Sequence, residues 1–433
     1  MSNLAESKHC VRILVVSQYF YPENFRVNDL AAWLVERGHE VTVLTGIPNY
    51  PSGRFFSGYG LFQRCTETWK GVSVVRVPQV PRGNGGPLRL VLNYLSFAVM
   101  ASLLGPLRLR RDYDVIFVHE PSPVTVGIPA IMMRRYTGAP IYFWVLDLWP
   151  ESVAAAGGVR ATWLLNVLSR LTRWIYSHCE KILVQSRAFI PRIRAQGVPQ
   201  ARIAYLPNWA EDVFRPSSAT LPPVPLPSGF RLMYAGNIGV AQDFPTILGA
   251  AERLKDVVDI HWLIVGDGRE RSWVQGEIER RGLNGKVHLF GNHAPEQMPD
   301  FFAHADAMLV SLKPNPVFVL TIPAKVQAYM ACARPIVAML DGEGARIIKE
   351  AGAGLSCPTG NAEALAATVL RMASMGRKER ERMGKQGRDY YLAHFDREKL
   401  FCQIESWLTD NDSGEQPCRK LENINRNKTG DSL

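Results

Sequence analysis

The sequence predicts an α/β protein with two doubly wound parallel sheets facing across a cleft. Three observations carry this reading. The chain has 433 residues, more than one hydrophobic core accommodates. Short apolar, β-branched runs alternate with helical patterns almost throughout. The alternation breaks once, where six prolines fall within residues 207–229.

The first domain spans 1–206. Its expected strands are Val11–Ser17, Glu40–Thr45, Val72–Val77, Asp114–His119, Pro140–Val145, Lys181–Gln185 and Arg202–Leu206. Most are continuous apolar runs, as strands covered on both faces should be. Helical stretches lie between them, such as Val27–Arg37, which stops at Gly38 as a C-cap would. The window 207–229 reads as a linker. The second domain, 230–395, has strands near Arg231–Ala235, Ile260–Val265, Val287–Phe290, Ala307–Ser311, Pro335–Ala338 and Gly354–Cys357. A charged helix follows at Arg377–Tyr391, then a last amphipathic helix within 396–409. The polar tail 410–433 is expected to be disordered.

Composition narrows the classes. At 47% hydrophobic and 21% charged residues the chain is neither collagen-like nor wholly disordered. Its seven cysteines are scattered and form no CxxC pair, which fits a reduced cytosolic protein and no zinc site. The polar N-terminus leads directly into the first strand, so no signal peptide is expected. Charge is uneven: residues 1–208 hold 23 basic and 12 acidic side chains, and the remainder holds 27 and 28. The basic half contains no recognised nucleic-acid module, so no nucleic-acid partner is expected.

In open α/β sheets ligands bind beyond the carboxyl ends of strands. Several motifs fall there. The loop with Gly236, Asn237, Gly239 and Gln242 follows one strand, with Asp243 placed to cap the next helix. It is either a plain turn or an anion-binding loop. Gly266 and Gly268 follow another strand but lack the third glycine of a dinucleotide fingerprint. In the segment Leu320–Cys332, Thr321 resembles an N-cap and Lys325 falls in the first helical turn. A cation there opposes the helix dipole unless a phosphate is bound, the alternative being a solvated lysine. Glu343 opens a further helix, where an acid is favourable anyway.

In the first half, Asn24 and Arg26 follow strand one, Glu120 follows at the end of the fourth expected strand, next to His119, and Asp147 follows the fifth. Carboxylates at strand ends are candidate acid/base groups, or helix caps. The Asp112-Tyr113-Asp114 triplet precedes a strand and reads as a turn, and no metal site is expected. Two Leu/Trp-rich segments carry arginines. Leu88–Arg111 has Arg108, Arg110 and Arg111, and Arg160–Lys181 has Trp163, Arg170, Arg173 and Trp174. They are core helices with snorkelling arginines or helices for an anionic bilayer surface. The uncharged run Leu90–Leu107 approaches the length of a membrane span, interrupted by Asn93, Ser96, Gly105 and Pro106.

Together the Arg37–Val41 turn, the Gly236–Gln242 loop, Val265–Gly268 and the Pro323–Pro335 helix resemble family 4 of the retaining glycosyltransferases, which have the two-Rossmann GT-B architecture. The likeness runs from about Val11 to Leu408. Ser17–Arg26, Gly46–Pro51 and Trp144–Ser152 resemble a bacterial O-antigen and capsule branch with L-fucosamine-type transferases. The resemblance implies a nucleotide-diphosphate sugar donor, usually UDP-linked and in this branch UDP-N-acetyl-L-fucosamine. It implies a polyprenyl-diphosphate-linked saccharide acceptor at the cytoplasmic face of the inner membrane, and a last helix that crosses back to the first domain. The donor is a substrate, so no cofactor and no metal are expected.

Carried onto this sequence, Gly236, Asn237, Gly239, Gln242, Gly266, Gly268, Lys325 and Glu343 hold the donor. Glu120 or Asp147 orients or deprotonates the acceptor hydroxyl. The sequence departs from the family at three places. Asn237 and Gln242 stand where members carry Arg and Lys. Leu320 and Ala328 replace two glutamates, and Leu146 replaces a histidine. Two rivals share these features, a UDP-sugar epimerase of the same fold and a non-catalytic membrane scaffold.

Overall fold

A computed structural model describes residues 10–61, 63–155, 161–256 and 259–409. The tail 410–433 with Cys418, and Arg160 at the head of the second Trp/Leu-rich segment, lie outside these residues. The described chain forms two compact units.

The first unit comprises 10–185, 189–206 and 398–409. Its elements are β1 (Arg12–Val16), α1 (Arg26–Glu36), β2 (Glu40–Gly46), β3 (Thr66–Trp69), β4 (Val72–Val77), α2 (Pro87–Arg108), β5 (Val115–Glu120), α3 (Gly127–Thr137), β6 (Ile141–Val145), α4 (Glu151–Ala155), α5 (Thr162–Ser177), β7 (Lys181–Val184), α6 (Ile190–Ala195) and β8 (Ile203–Tyr205). The strand order is β3-β4-β2-β1-β5-β6-β7-β8, parallel except for the β3–β4 pair. Every residue of β5 and β6 is buried, which is why these strands read as unbroken apolar runs. The chain order reverses between β1 and β5, so the loops after these two strands meet at a topological switch point.

The sequence reading missed β3. Its Thr-Glu-Thr-Trp run is only partly buried and pairs antiparallel at the sheet edge, so it lacks the apolar signature of the other strands.

Helix α2 packs on α3, and α3 on α5. Asn93, Phe97, Ala98, Ala101 and Gly105 form the buried side of α2. The opposite side exposes Leu88, Val91, Leu92, Leu95, Val99, Leu103 and Leu107. At 3.6 residues per turn these fall on one stripe running the length of the helix. By length and composition α2 is apolar enough to cross a membrane.

The second unit comprises 186–188 and 207–397. Residues 207–229 have no regular secondary structure and lie on this unit. Phe214 stacks on Phe302 at 5.9 Å, and Val224 and Leu226 cover the core beside it. The elements that follow are β9 (Phe230–Ala235), α7 (Phe244–Leu254), β10 (Ile260–Val265), α8 (Arg271–Arg280), β11 (Val287–Gly291), α9 (Met298–Ala303), β12 (Ala307–Ser311), α10 (Ala324–Ala331), β13 (Ile336–Met339), α11 (Gly342–Glu350), β14 (Gly354–Cys357), α12 (Ala362–Ser374) and α13 (Arg377–His394). The six strands are all parallel, in the order β11-β10-β9-β12-β13-β14. Side chains alternate between two cores. Leu232, Tyr234, Trp262 and Ile264 face one, and Met233, Ala235, Leu263 and Val265 face the other.

Two expected caps are corrected. Asp243 stands before α7 with φ +56°, in the left-handed region, and its side chain makes no capping hydrogen bond. Thr321 does not cap α10, because Pro323 occupies that position and the Thr321 hydroxyl donates back to Phe318 O at 3.0 Å. Lys325 is still a first-turn residue.

Helix α14 (Arg397–Leu408) lies within the first unit from Glu398 on. Phe401 packs edge-on against Trp33 of α1 at 5.3 Å, and Trp33 Nε1 donates to Glu398 at 2.9 Å. The Glu405 carboxylate accepts from Arg37 at 3.1 and 3.0 Å and lies 3.0 Å from His39 Nε2. Among the described residues the six cysteines are free.

Candidate functional site

In the second unit, β9 delivers the chain to Gly236 at φ +124°, and β10 delivers it to Gly266 at φ +143°. These loops pack on each other. Gly236 N–H donates to Val265 O at 2.8 Å, and Ile238 N–H donates to Asp267 O at 2.8 Å. A Cβ on Gly266 would lie 2.0 Å from Gly236 O, and one on Gly268 would lie 2.2 Å from Ile238 O. Both glycines are therefore required by the meeting of the two loops.

Lys325, from α10, reaches this junction. Its ammonium lies over the Tyr234 ring, contacts the Tyr234 hydroxyl, and would be 3.3 Å from a Cβ on Gly236. The side chain keeps some exposure, yet burial of its ammonium lowers the pKa to about 7. No carboxylate pairs with it among the described residues.

Gly236, Gly266 and Lys325 share the wall of one cavity of about 220 Å³. Phe214, Val265, Met298 and Phe302 make much of the remainder apolar, and Ala328 leaves it without a carboxylate. Asn292 and His293, just after β11, also line it, and the sequence reading missed them. Their only signal was position, a polar pair beyond a strand end. His293 Nε2 lies 3.2 Å from Phe290 O, an acceptor, so Nε2 carries a proton.

The other expected donor residues do not line this cavity. Asn237 is exposed and directed to Gln242 at 3.5 Å, and Gly239 and Gln242 lie in the turn beside it. Gly268 acts in loop packing. Glu343 is buried at the start of α11 and is engaged by Arg346, with two contacts of 2.8 Å.

In the first unit the expected carboxylates do meet. Glu120 ends β5 fully buried, and its Oε2 accepts from the Asp147 N–H at 3.4 Å. Its Oε1 has no hydrogen-bond partner in the described structure. Burial, with the Asp147 charge beside it, raises the Glu120 pKa well above the carboxylate range. Asp147 is partly exposed and accepts from the Ser152 hydroxyl. Burial raises its pKa as well, against the lowering effect of the Ser152 bond. Asp147 is thus the carboxylate with surface reach, and Glu120 supports the loop that carries it.

His119, next to Glu120 on β5, joins this group. The Ser17 hydroxyl donates to Tyr19 O at 2.7 Å and lies 3.0 Å from His119 Nδ1. Having spent its proton on Tyr19, Ser17 accepts from Nδ1–H, which leaves the lone pair on Nε2. Burial, then the Arg26 charge, lowers the His119 pKa to about 3, so the ring is neutral. Arg26 begins α1, and Asn24 is exposed in the loop before it. Glu23 holds that loop by accepting the N–H groups of Asn49 at 2.8 Å and Tyr50 at 2.7 Å.

The predicted surface residues divide. Trp163, Arg170, Arg173 and Trp174 are exposed on α5. Arg108, Arg110 and Arg111 are exposed too, but each has a protein contact: Arg108 donates to Arg76 O at 2.8 Å, Arg110 pairs with Asp112 and Glu40, and Arg111 lies 4.6 Å over Tyr136. Asp112 and Asp114 are committed to Arg12 at 2.5 and 2.9 Å. No cluster of three or more metal-type ligands occurs among the described residues.

Comparison with known proteins places families on both units. The glycosyl transferase 4-like domain matches residues 24–209, and the glycosyl transferases group 1 family matches 228–390. A putative colanic acid biosynthesis glycosyl transferase, WcaI of Escherichia coli, is 24% identical over 323 residues, 70% of this chain and 77% of its own. A probable glycosyltransferase, WbjE of Pseudomonas aeruginosa, is 26% identical over 285 residues, 62% and 69% of the two chains. The crystal structure of Anabaena HepE in complex with UDP superposes with a TM-score of 0.65 at 15% identity, covering 93% of this chain and all of that one.

Proposed function

This chain belongs to the GT-B glycosyltransferases, with a 4-like domain followed by a group 1 domain, and from that premise we propose that it transfers a sugar, with retention, from a UDP-linked donor to a polyprenyl-diphosphate-linked saccharide. The product belongs to a bacterial surface polysaccharide, with an N-acetyl-L-fucosamine-type donor as the first candidate. The observation that carries the donor half is the unpaired Lys325 ammonium at the wall of an apolar cavity beside Gly236. A flat base fits between apolar walls, and a diphosphate meets the lysine and the N-terminus of α10. Charge that develops on the leaving diphosphate is then stabilised by fixed groups, without need of a metal. The UDP held by the HepE structure supports the choice of nucleotide.

The acceptor is assigned to the first unit. Asp147 orients or deprotonates the attacking hydroxyl, with Glu120 as its positioning residue and neutral His119 close by. A lipid-linked acceptor requires a bilayer, and the exposed stripe of α2 supplies an apolar face about 30 Å long. Charge fits as well. No Asp or Glu falls between Glu67 and Asp112, an interval that holds Lys70 and six arginines. We therefore assign the protein to the cytoplasmic face of an anionic membrane, with α5 adding Trp163, Arg170, Arg173 and Trp174.

The decisive experiment presents a panel of UDP-sugars with a lipid-linked acceptor and reads the products by mass spectrometry. Transfer to the acceptor with retained anomeric configuration supports the proposal. Turnover of a UDP-sugar without any acceptor, or no turnover and no UDP binding, overturns it.

A further inference from the structure

A second cavity, of about 480 Å³, lies at the opposite ends of the second unit's strands. It is bounded by the residues that lead into β9, β12 and β13, and by the first half of α13. Its size is that of a ligand site, and its chemistry is unlike that of the first cavity.

Cations dominate this wall. Arg231, Arg334, Arg377, Arg380, Lys385 and Arg388 face it, against only Asp306 and Glu381. Both acids are already committed. Asp306 pairs with Arg380 at 3.2 Å and lies 3.6 Å from Arg231, and Glu381 accepts from Arg377 at 2.7 Å. The remaining positive charge has no protein counter-charge within the cavity. Two obligate donors, Arg334 Nε and Arg231 Nε, are buried without a hydrogen-bond partner, as is the ring nitrogen His304 Nε2. A buried donor left unsatisfied is costly, and a ligand with many acceptors relieves it.

The helix adds a second, independent sign. Arg377 and Arg380 stand in the first turn of the 18-residue helix α13, where the macrodipole is already positive. One acid, Glu379, stands with them and lies 3.7 Å from Arg382, so the turn keeps a net positive charge that opposes the dipole. Apart from His304 the rest of the wall is Ala219, Ala303, Ala305, Ala333 and Pro335, so among the described lining residues there is no Phe, Tyr or Trp to stack on a base.

We propose that this cavity binds a soluble oligophosphate through its phosphate chain, at a site separate from the sugar-donor cavity. The phosphate oxygens accept from Arg334, Arg377 and Lys385, and they neutralise the start of α13.

Inorganic tripolyphosphate is the probe, titrated calorimetrically at low salt into the Lys325→Ala protein, whose donor cavity has lost its cation. Binding is expected there. Adding Arg377→Ala and Lys385→Ala, both exposed side chains, should weaken it at least about tenfold, each lost charge-assisted bond accounting for at least that much. Unchanged circular dichroism verifies the fold. Absence of binding in the Lys325→Ala protein, or binding that survives the two further changes, overturns the proposal. ATP is the second arm. It should bind no tighter than tripolyphosphate, and tighter binding would refute recognition through the phosphate chain alone.

Discussion

The Lys325 ammonium sits 3.7 Å from the centroid of the Tyr234 ring, on the face of the aromatic π-system. A ring face attracts a cation but does not neutralise it, and burial brings this lysine's pKa to about 7. A bound diphosphate restores the charged form. Donor binding should therefore take up a proton above pH 7, seen at pH 8 as a calorimetric heat that changes between phosphate and Tris buffers. Heat independent of buffer would remove Lys325 from the phosphate site. Without donor, the unfolded chain holds more protons than the folded one between about 7 and the lysine's ordinary 10.5. Stability from this group accordingly rises with pH through that window, and Lys325→Met should abolish the rise.

Asp147 and Glu120 should separate by substitution. Asp147→Asn is expected to lower kcat by about 10²–10⁴ with the donor KM unchanged. Glu120→Gln keeps an acceptor for the Asp147 N–H and loses no charge if the acid is already neutral, so kcat should stay within a few-fold. Because the Asp147 pKa is raised, the acid limb of the pH–rate profile should lie above the ordinary carboxylate range. An equal loss in both variants would refute the division of roles.

Gly266→Ala tests the loop junction. The left-handed backbone and the 2.0 Å approach to Gly236 O both oppose a methyl group. A loss of about 3 kcal/mol in urea unfolding is expected. A wild-type midpoint would show that the loops part more easily than their hydrogen bonds imply.

Glu405 should give α14 an acid-sensitive hold on its unit. Burial pushes its pKa up, but the bonds from His39 and Arg37 and the Arg37 charge win, so the pKa falls. A depressed carboxylate stabilises above its unfolded pKa, and that contribution is lost as pH drops through the folded one. Glu405→Gln should cost about 1–2 kcal/mol at pH 7 and flatten the acid limb of the stability curve. An unaltered limb would mean that Glu405 is uncoupled from folding.

The α2 stripe should be separable from the fold. Leu95→Gln, Val99→Gln and Leu103→Gln replace exposed side chains, so stability should hold within about 0.5 kcal/mol per site. Affinity for anionic vesicles in a flotation assay should fall roughly 100-fold, about 1 kcal/mol for each apolar group lost. Flotation equal to wild type would discard α2 as the membrane face.

Most of the sheet was legible because its strands are unbroken apolar runs, as at β5 and β6. β3 escaped because an edge strand needs only half that signature. Lys325 was legible through its conflict with the helix dipole. Asn292 and His293 carry no such conflict, and their place at the cavity follows from chain geometry alone. The pairing of Glu343 with Arg346, three residues on, was not read from the sequence, although the two stand one helical turn apart. His119 ended an expected strand, but its tautomer depends on Ser17, 102 residues away in sequence.

Helix α14 also sets a schedule for biosynthesis. It completes a unit whose last strand, β8, emerges roughly 190 residues earlier. At 5–20 residues per second the ribosome takes about 10 to 40 s to make that stretch. Until then Trp33, Arg37 and His39 lack their contacts with α14, and the nascent first unit offers chaperones a surface that the finished protein conceals.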